Sequence, residues 1–282
     1  MWAKALTLSW ETSKDYSRNN CSYVAAGIAY WALFSLFPLS LAAISIIGFL
    51  YPTPLEQGRV AERLVQQIPV SGDYLAGLVA EVARSRGVLG ALAVVGLLLS
   101  GAKVFASVRR GINHAWNTGS PHTFLVARGI DLVLLLATAL LAILSVAFTT
   151  NALGLSMPFA VPEGPGARLT LRLLSELATL IFAFWVFALL YRFIPNTRVV
   201  WRDIWLGALL ASVLFTAVRF GLIWFVVTFN GFNLVYGSLG TFMAVLAWAY
   251  FSSQALMWGA QVSATYSRLF GTQAPGEEAP GH

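Results

Sequence analysis

Charged side chains inside long apolar runs are the residues of this chain that carry most chemical information. Even on a lenient scale a charge at the centre of a membrane helix costs about 2.5–3.5 kcal/mol, so each needs a partner or a purpose. Arg219 is the clearest case, set in Phe215-Thr-Ala-Val-Arg-Phe-Gly. Glu176 is preceded by Arg172 at i−4 and Arg168 at i−8, so on a helix these three share a face. If the two runs are antiparallel helices, Glu176 and Arg219 fall at similar depth in the outer half of a bilayer. Two roles stay open. Glu176 can be neutralised by Arg172 or Arg219 and simply hold two helices together, or Arg168, Arg172 and Arg219 can line an outward-facing polar cavity that attracts an anionic group. On the inner side Lys103 and Asp131 form a second candidate charge pair. Asp131 is favourable at a helix start without any ligand, and Lys103 can snorkel to the interface.

Other chemistry lacks its parts. The histidines are His114, His122 and His282, and the cysteine is Cys21. No His/Cys/acid cluster with metal-ligand spacing, no phosphate-binding Gly-Lys loop and no G-x-S-x-G elbow occurs. The chain is therefore expected to be neither an enzyme nor a metal or cofactor protein. His114 and His122 read as ordinary interfacial residues, and Cys21 as a small side chain with no intrachain disulfide partner.

These residues must be positioned by membrane helices. With 58% hydrophobic and 11% charged residues, against about 25% charged in soluble domains, the chain cannot clothe itself in an ordinary water-facing surface. Six apolar stretches are long enough to span, at about 24–50, 88–108, 129–153, 171–193, 204–229 and 237–263. The expected fold is an all-α integral membrane protein, a six-transmembrane-helix bundle over residues 21–268 with amphipathic interfacial helices. Cations such as Lys14, Arg18, Arg109, Arg110, Arg192, Arg198 and Arg202 cluster on alternate connections, which puts both termini in the cytoplasm. The net charge of +6 is spread between apolar runs without a dense basic block, so nucleic acid is not an expected partner.

Outside the spans, residues 1–20 place Trp2, Leu6 and Trp10 among charges, as an interfacial helix on the cytoplasmic face would. The outer loop at about 53–86 reads as two amphipathic helices, with Pro69 ending the first and Ser71 and Asp73 starting the second. The tail 269–282 is rich in Pro, Gly and acid and reads as disordered. Pro38 falls mid-span, where it leaves the carbonyl of Phe34 without its helical donor. Ser35 or a neighbouring span is expected to help satisfy it, and the kink can act as a hinge or only as a packing bend. Gly90, Ala93, Gly96, Ser100 and Gly101 suggest close helix packing in the second span.

Three stretches carry a family resemblance: Ala29-Tyr-Trp-Ala-Leu-Phe-Ser-Leu-Phe-Pro38, Tyr191-Arg-Phe-Ile-Pro-Asn-Thr-Arg-Val-Val-Trp201, and Tyr236-Gly-Ser-Leu-Gly240 through to Gly259-Ala-Gln. With Asn113 and Trp116 they resemble the YihY/BrkB family of bacterial inner-membrane proteins, formerly labelled ribonuclease BN-like. The motif positions are Tyr30, Ser35, Pro38, Asn113, Trp116, Pro195, Asn196, Tyr236 and Gly237. The resemblance implies six spans with cytoplasmic termini, and it treats the nuclease label as a misassignment. It also implies two departures. Relatives often carry an acid where this chain has Thr216, and Glu where it has Gln261. Should those acids couple an ion in relatives, this chain lacks that coupling; should they only neutralise the basic residue, Glu176 can substitute.

The function expected from these readings is a transporter or flippase-like protein for an anionic or amphipathic envelope solute. The alternative is a non-transporting scaffold for envelope integrity. Membrane lipids and a small or lipid-like solute are the expected partners, and a homo-oligomer is compatible with the sequence without being implied by it.

Overall fold

The computed structural model describes residues 2–50, 88–118, 129, 165–197, 199–228 and 238–273. Among them the regular structure is helical, with no strand. The helices are α1 (Trp2–Arg18), α2 (Cys21–Leu50), α3 (Val88–Ala115), α4 (Pro165–Phe193), α5 (Trp201–Thr228) and α6 (Ser238–Phe270). One segment of the described residues, Trp201–Phe225 in α5, is long and apolar enough to cross a membrane by length and composition; Cys21–Leu36 and Thr179–Phe193 are shorter apolar stretches. The expected outer loop at 53–86, the body of the third span with Asp131, the motif positions Tyr236 and Gly237, and tail residues 274–282 lie outside the described residues.

The chain divides into two compact units, one formed by Met1–Tyr30 with Phe105–His282 and the other by Trp31–Val104. Within the first, α1 and α2 meet at Asn20, whose φ of 48° is the left-handed conformation that asparagine tolerates better than most residues. The Asn20 carbonyl then accepts from the Tyr23 and Val24 amides and opens α2. A Schellman turn closes α3. Asn117 has φ 51°, its amide bonds the His114 carbonyl, and the Thr118 amide bonds the Asn113 carbonyl.

The most extensive helix pairing is α5 with α6, followed by α4 with α5 and α1 with α6. The α5–α6 crossing is built on glycine. A Cβ on Gly259 would come within 2.6 Å of the Gly207 carbonyl oxygen and 2.7 Å of the Ala211 Cβ. One on Gly207 would collide with Ser263 and with the Gly259 backbone. Gly207-x-x-x-Ala211 thus faces Gly259-x-x-x-Ser263, a small-x-x-x-small contact that lets two backbones approach. Around it Ile112, Tyr191, Ile204, Ala208 and Met257 form a fully buried core.

Helix α6 runs to Phe270, seven residues beyond the expected sixth span and two residues into the expected disordered tail. The apolar run does end near 263, but the polar side chains beyond it are paired, so the helix continues. Gly271 to Gln273 form a turn whose Thr272 bonds Asp203.

In the second unit α2 continues through Pro38, and a Cβ on Gly96 would sit 3.4 Å from the Pro38 Cβ. Gly96 therefore lies against Pro38 with room left for a Cβ at ordinary contact distance. The Ser35 hydroxyl donates to the Ala32 carbonyl at 2.7 Å. Ser35, one of the two expected ways to satisfy the Phe34 carbonyl, instead meets an i−3 acceptor within easy reach of its short side chain.

Candidate functional site

The α4–α5 hairpin sets the depth of the in-helix charges. Glu176 lies as far before the end of α4 as Arg219 lies after the start of α5, to within one residue. At 1.5 Å per residue both stand about 26 Å along their helices from the hairpin turn. The structure brings them together: an Arg219 Nη donates to a Glu176 carboxylate oxygen. Both side chains are half-buried, and the guanidinium carbon lies 4.9 Å from the centre of the Phe220 ring. The Arg219 Nε is buried without a hydrogen-bond partner among the described residues. Thr216, one turn earlier, turns its hydroxyl back to the Ser212 carbonyl at 2.8 Å. Among the described residues the pair therefore leaves one guanidinium donor unsatisfied in the mostly apolar C-terminal half of α5. Arg172 and Arg168 stand one and two turns before Glu176 on α4, and their side chains lie outside the described residues. Lys103 is exposed, with its ammonium 5.7 Å from the Trp31 ring centre, which satisfies it through a cation–π contact.

Between the C-terminal half of α5 and the N-terminal half of α6 runs an apolar groove of about 540 Å³. Trp224, Phe225, Met243, Trp248 and Phe251 line it, and Val218, next to Arg219 in sequence, lies at its edge.

At the other end of the unit lies a polar network. Asp15 is buried, and its carboxylate accepts from Arg18 at 2.9 Å, from Arg268 and from the Thr265 hydroxyl at 3.3 Å. Gln261 donates to Thr265 at 3.4 Å and accepts from Asn19 at 3.2 Å and weakly from the Cys21 thiol at 3.5 Å. Tyr16 stacks on Trp258 with ring centres 4.1 Å apart and donates to Gln254, which donates to Tyr250 at 2.6 Å. Asp203, in the first turn of α5, accepts from Ser267 at 2.9 Å and from the Thr272 hydroxyl at 2.6 Å. An acid at a helix N-terminus is stabilised by the helix dipole, so Asp203 can tie the end of α6 to the start of α5 with no basic partner.

Asn113 holds the hairpin turn. Its side-chain amide donates to the carbonyls of Arg109 and Ile194, while its oxygen accepts from the Asn196 amide at 2.7 Å and the Thr118 hydroxyl at 3.0 Å. Pro195 is buried beside it.

The family model described as virulence factor BrkB matches residues 12–281. The chain belongs to the BrkB family. Its relatives include a UPF0761 membrane protein of Haemophilus influenzae, 23% identical over 91% of this chain and 93% of the relative. One from Aggregatibacter aphrophilus is 22% identical over 95% of this chain and 94% of its own length. One from Stenotrophomonas maltophilia is 27% identical over 86% of this chain and 56% of its own length. This BrkB chain is accordingly a membrane protein. No solved structure matches it.

Among the BrkB motif positions, Asn113, Pro195 and Asn196 converge on the hairpin turn. Trp116 packs into the same buried core, with its indole nitrogen unpartnered among the described residues. Tyr30 is exposed, and Ser35 and Pro38 lie within α2. Sequence reasoning missed Asp15, Arg268 and Asp203, together with the Gly207–Gly259 crossing. A signal existed for some of them: Gln254, Gln261, Thr265 and Arg268 recur at helical spacing as one polar stripe, and both glycines stand four residues before a small residue.

Proposed function

We propose that this BrkB-family chain is a six-span inner-membrane protein, both termini cytoplasmic, that moves an anionic or amphipathic envelope solute. Arg219 is its recognition residue, and Glu176 positions it. The observation that carries this reading is the unpartnered Nε of Arg219. A guanidinium presents donors in a planar fork suited to carboxylate or phosphate, and here only an Nη edge meets the acid that holds it. The apolar groove on the same half of α5, lined from Val218 onward, suits the lipid-like part of an amphipathic solute. No catalytic role is assigned to any residue. The test is an uptake screen of anionic and amphipathic solutes in proteoliposomes. The expected result is flux for at least one anionic class, lost in Arg219→Gln and retained in part by Arg219→Lys. Absence of flux for every class, with folded protein in the bilayer, would favour the second reading.

That second reading is a non-transporting scaffold, and the Arg219–Glu176 ion pair favours it, because a pair that only neutralises itself suffices to join α4 to α5.

A further inference from the structure

Helix α1 is turned inside out relative to a surface helix of a water-soluble protein. The face it buries is polar: Thr12 is buried, and Asp15, the Tyr16 hydroxyl and, just past the helix end, Asn19 meet α6. The face it exposes carries Leu6, 69% accessible, and Trp10, 73% accessible. Continuing that row at i+4 spacing come Lys14 and Arg18, both exposed, so apolar anchors and cations share one strip about 18 Å long.

The charges on this strip are not balanced locally. Glu11 and Asp15 are the acids of α1; Glu11 is half-buried, and Asp15 is buried under Arg18 and Arg268. One carboxylate facing two guanidiniums leaves a positive charge over; exposed Lys14 adds another and half-buried Glu11, one turn before it, offsets one, so the balance stays positive. Exposed Trp beside cations on one helical strip is the composition that settles at a lipid headgroup boundary, with the ring at the interface and the cations on acidic headgroups.

We infer that the Leu6–Trp10–Lys14–Arg18 face of α1 is a docking surface for acidic lipid headgroups of the membrane in which the protein sits. The polar contacts to α6 then fix the orientation of that face, since turning α1 about its axis would leave Asp15 without Arg268.

The experiment places a fluorophore on Ser13→Cys in the full-length protein. Ser13 is exposed, whereas the native Cys21 is buried and does not compete for label. The protein is reconstituted into nanodiscs containing either quencher-bearing phosphatidylglycerol or quencher-bearing phosphatidylcholine, and the ratio of quenching measures selectivity. The expected result is a clear preference for phosphatidylglycerol. Salt should weaken it, Lys14→Gln should reduce it roughly fivefold, in line with one basic residue at an acidic surface, and Lys14→Arg should preserve it. Trp10→Ser should lower quenching by both lipids. Equal quenching by the two lipids overturns the inference, as does quenching by neither with energy transfer between labelled copies, which would assign the face to a second copy of the chain. Lys14 is solvent-exposed, so its substitution leaves the fold to act as its own control.

Discussion

At Arg219 the competing demands are solvation and partnership. A guanidinium this far along an apolar helix is stable only if its charge is answered, and Glu176 answers one edge of it. Glu176→Gln should therefore lower thermal stability in detergent by about 1–3 kcal/mol, between the values for surface and fully buried pairs. Glu176→Asp, one methylene shorter, should lose less. Tyr16 provides a second residue-scale test. Burial disfavours its phenolate most, a hydrogen bond with Ser22 acts the other way, and nearby Cys21 and Tyr250 add to the rise, so the phenol is pushed up to about 12 from its ordinary 10.0. The unfolded chain gives up this proton first. The associated stability is thus fully present below pH 10 and is lost as pH rises toward 12. In an absorbance titration, Tyr16→Phe should remove one late-ionising phenolate, and the fall of stability across that interval should become shallower. An unchanged titration would place Tyr16 in water.

At the scale of elements, the α5–α6 crossing and the hairpin turn are where single changes act most sharply. Gly207→Ala presses a methyl against the Gly259 backbone, which cannot rotate away as a side chain can, so the helices must separate. A cost of about 1–3 kcal/mol is expected in thermal unfolding. Gly27→Ala in α2 meets nothing within 4 Å and should be neutral or stabilising by about 0.5–1 kcal/mol. Asn113→Ala removes the acceptor of the Asn196 amide, which should then exchange faster with solvent at a stability cost of about 1–3 kcal/mol. These elements also mark how far the sequence could be read. Helix positions followed from the length of the apolar runs, and Glu176 with Arg219 from equal spacing about a hairpin. The partners of Asp15 could not be found that way, because Arg268 lies 253 residues away and no local pattern links them. Sequence left open whether Ser35 or a neighbouring span meets the Phe34 carbonyl, because backbone geometry decides which oxygen a short hydroxyl reaches, here that of Ala32. The end of α6 was placed early because its polar residues look like a tail until their partners on α1 and α5 are known.

For the whole molecule, charge is sorted by place. Asp15 and Asp203 are buried and consumed by the polar network near the α1–α6 and α5–α6 helix ends, while Lys14, Arg18, Arg110 and Arg202 stay exposed. Far along α4 and α5 from that end stand the Arg219–Glu176 ion pair and, between α5 and α6, an apolar groove. On the transport account the first arrangement seats the protein in its membrane and the second handles its solute. The charge-swapped double variant Arg219→Glu with Glu176→Arg separates the two roles of that pair most directly. It keeps the ion pair but moves the guanidinium from α5 to α4. Thermal stability should return close to that of the unmodified protein, while solute flux in proteoliposomes stays absent, because the donor fork no longer stands on α5. Stability and flux both restored by the swap would contradict the account and reduce Arg219 to a strut between two helices.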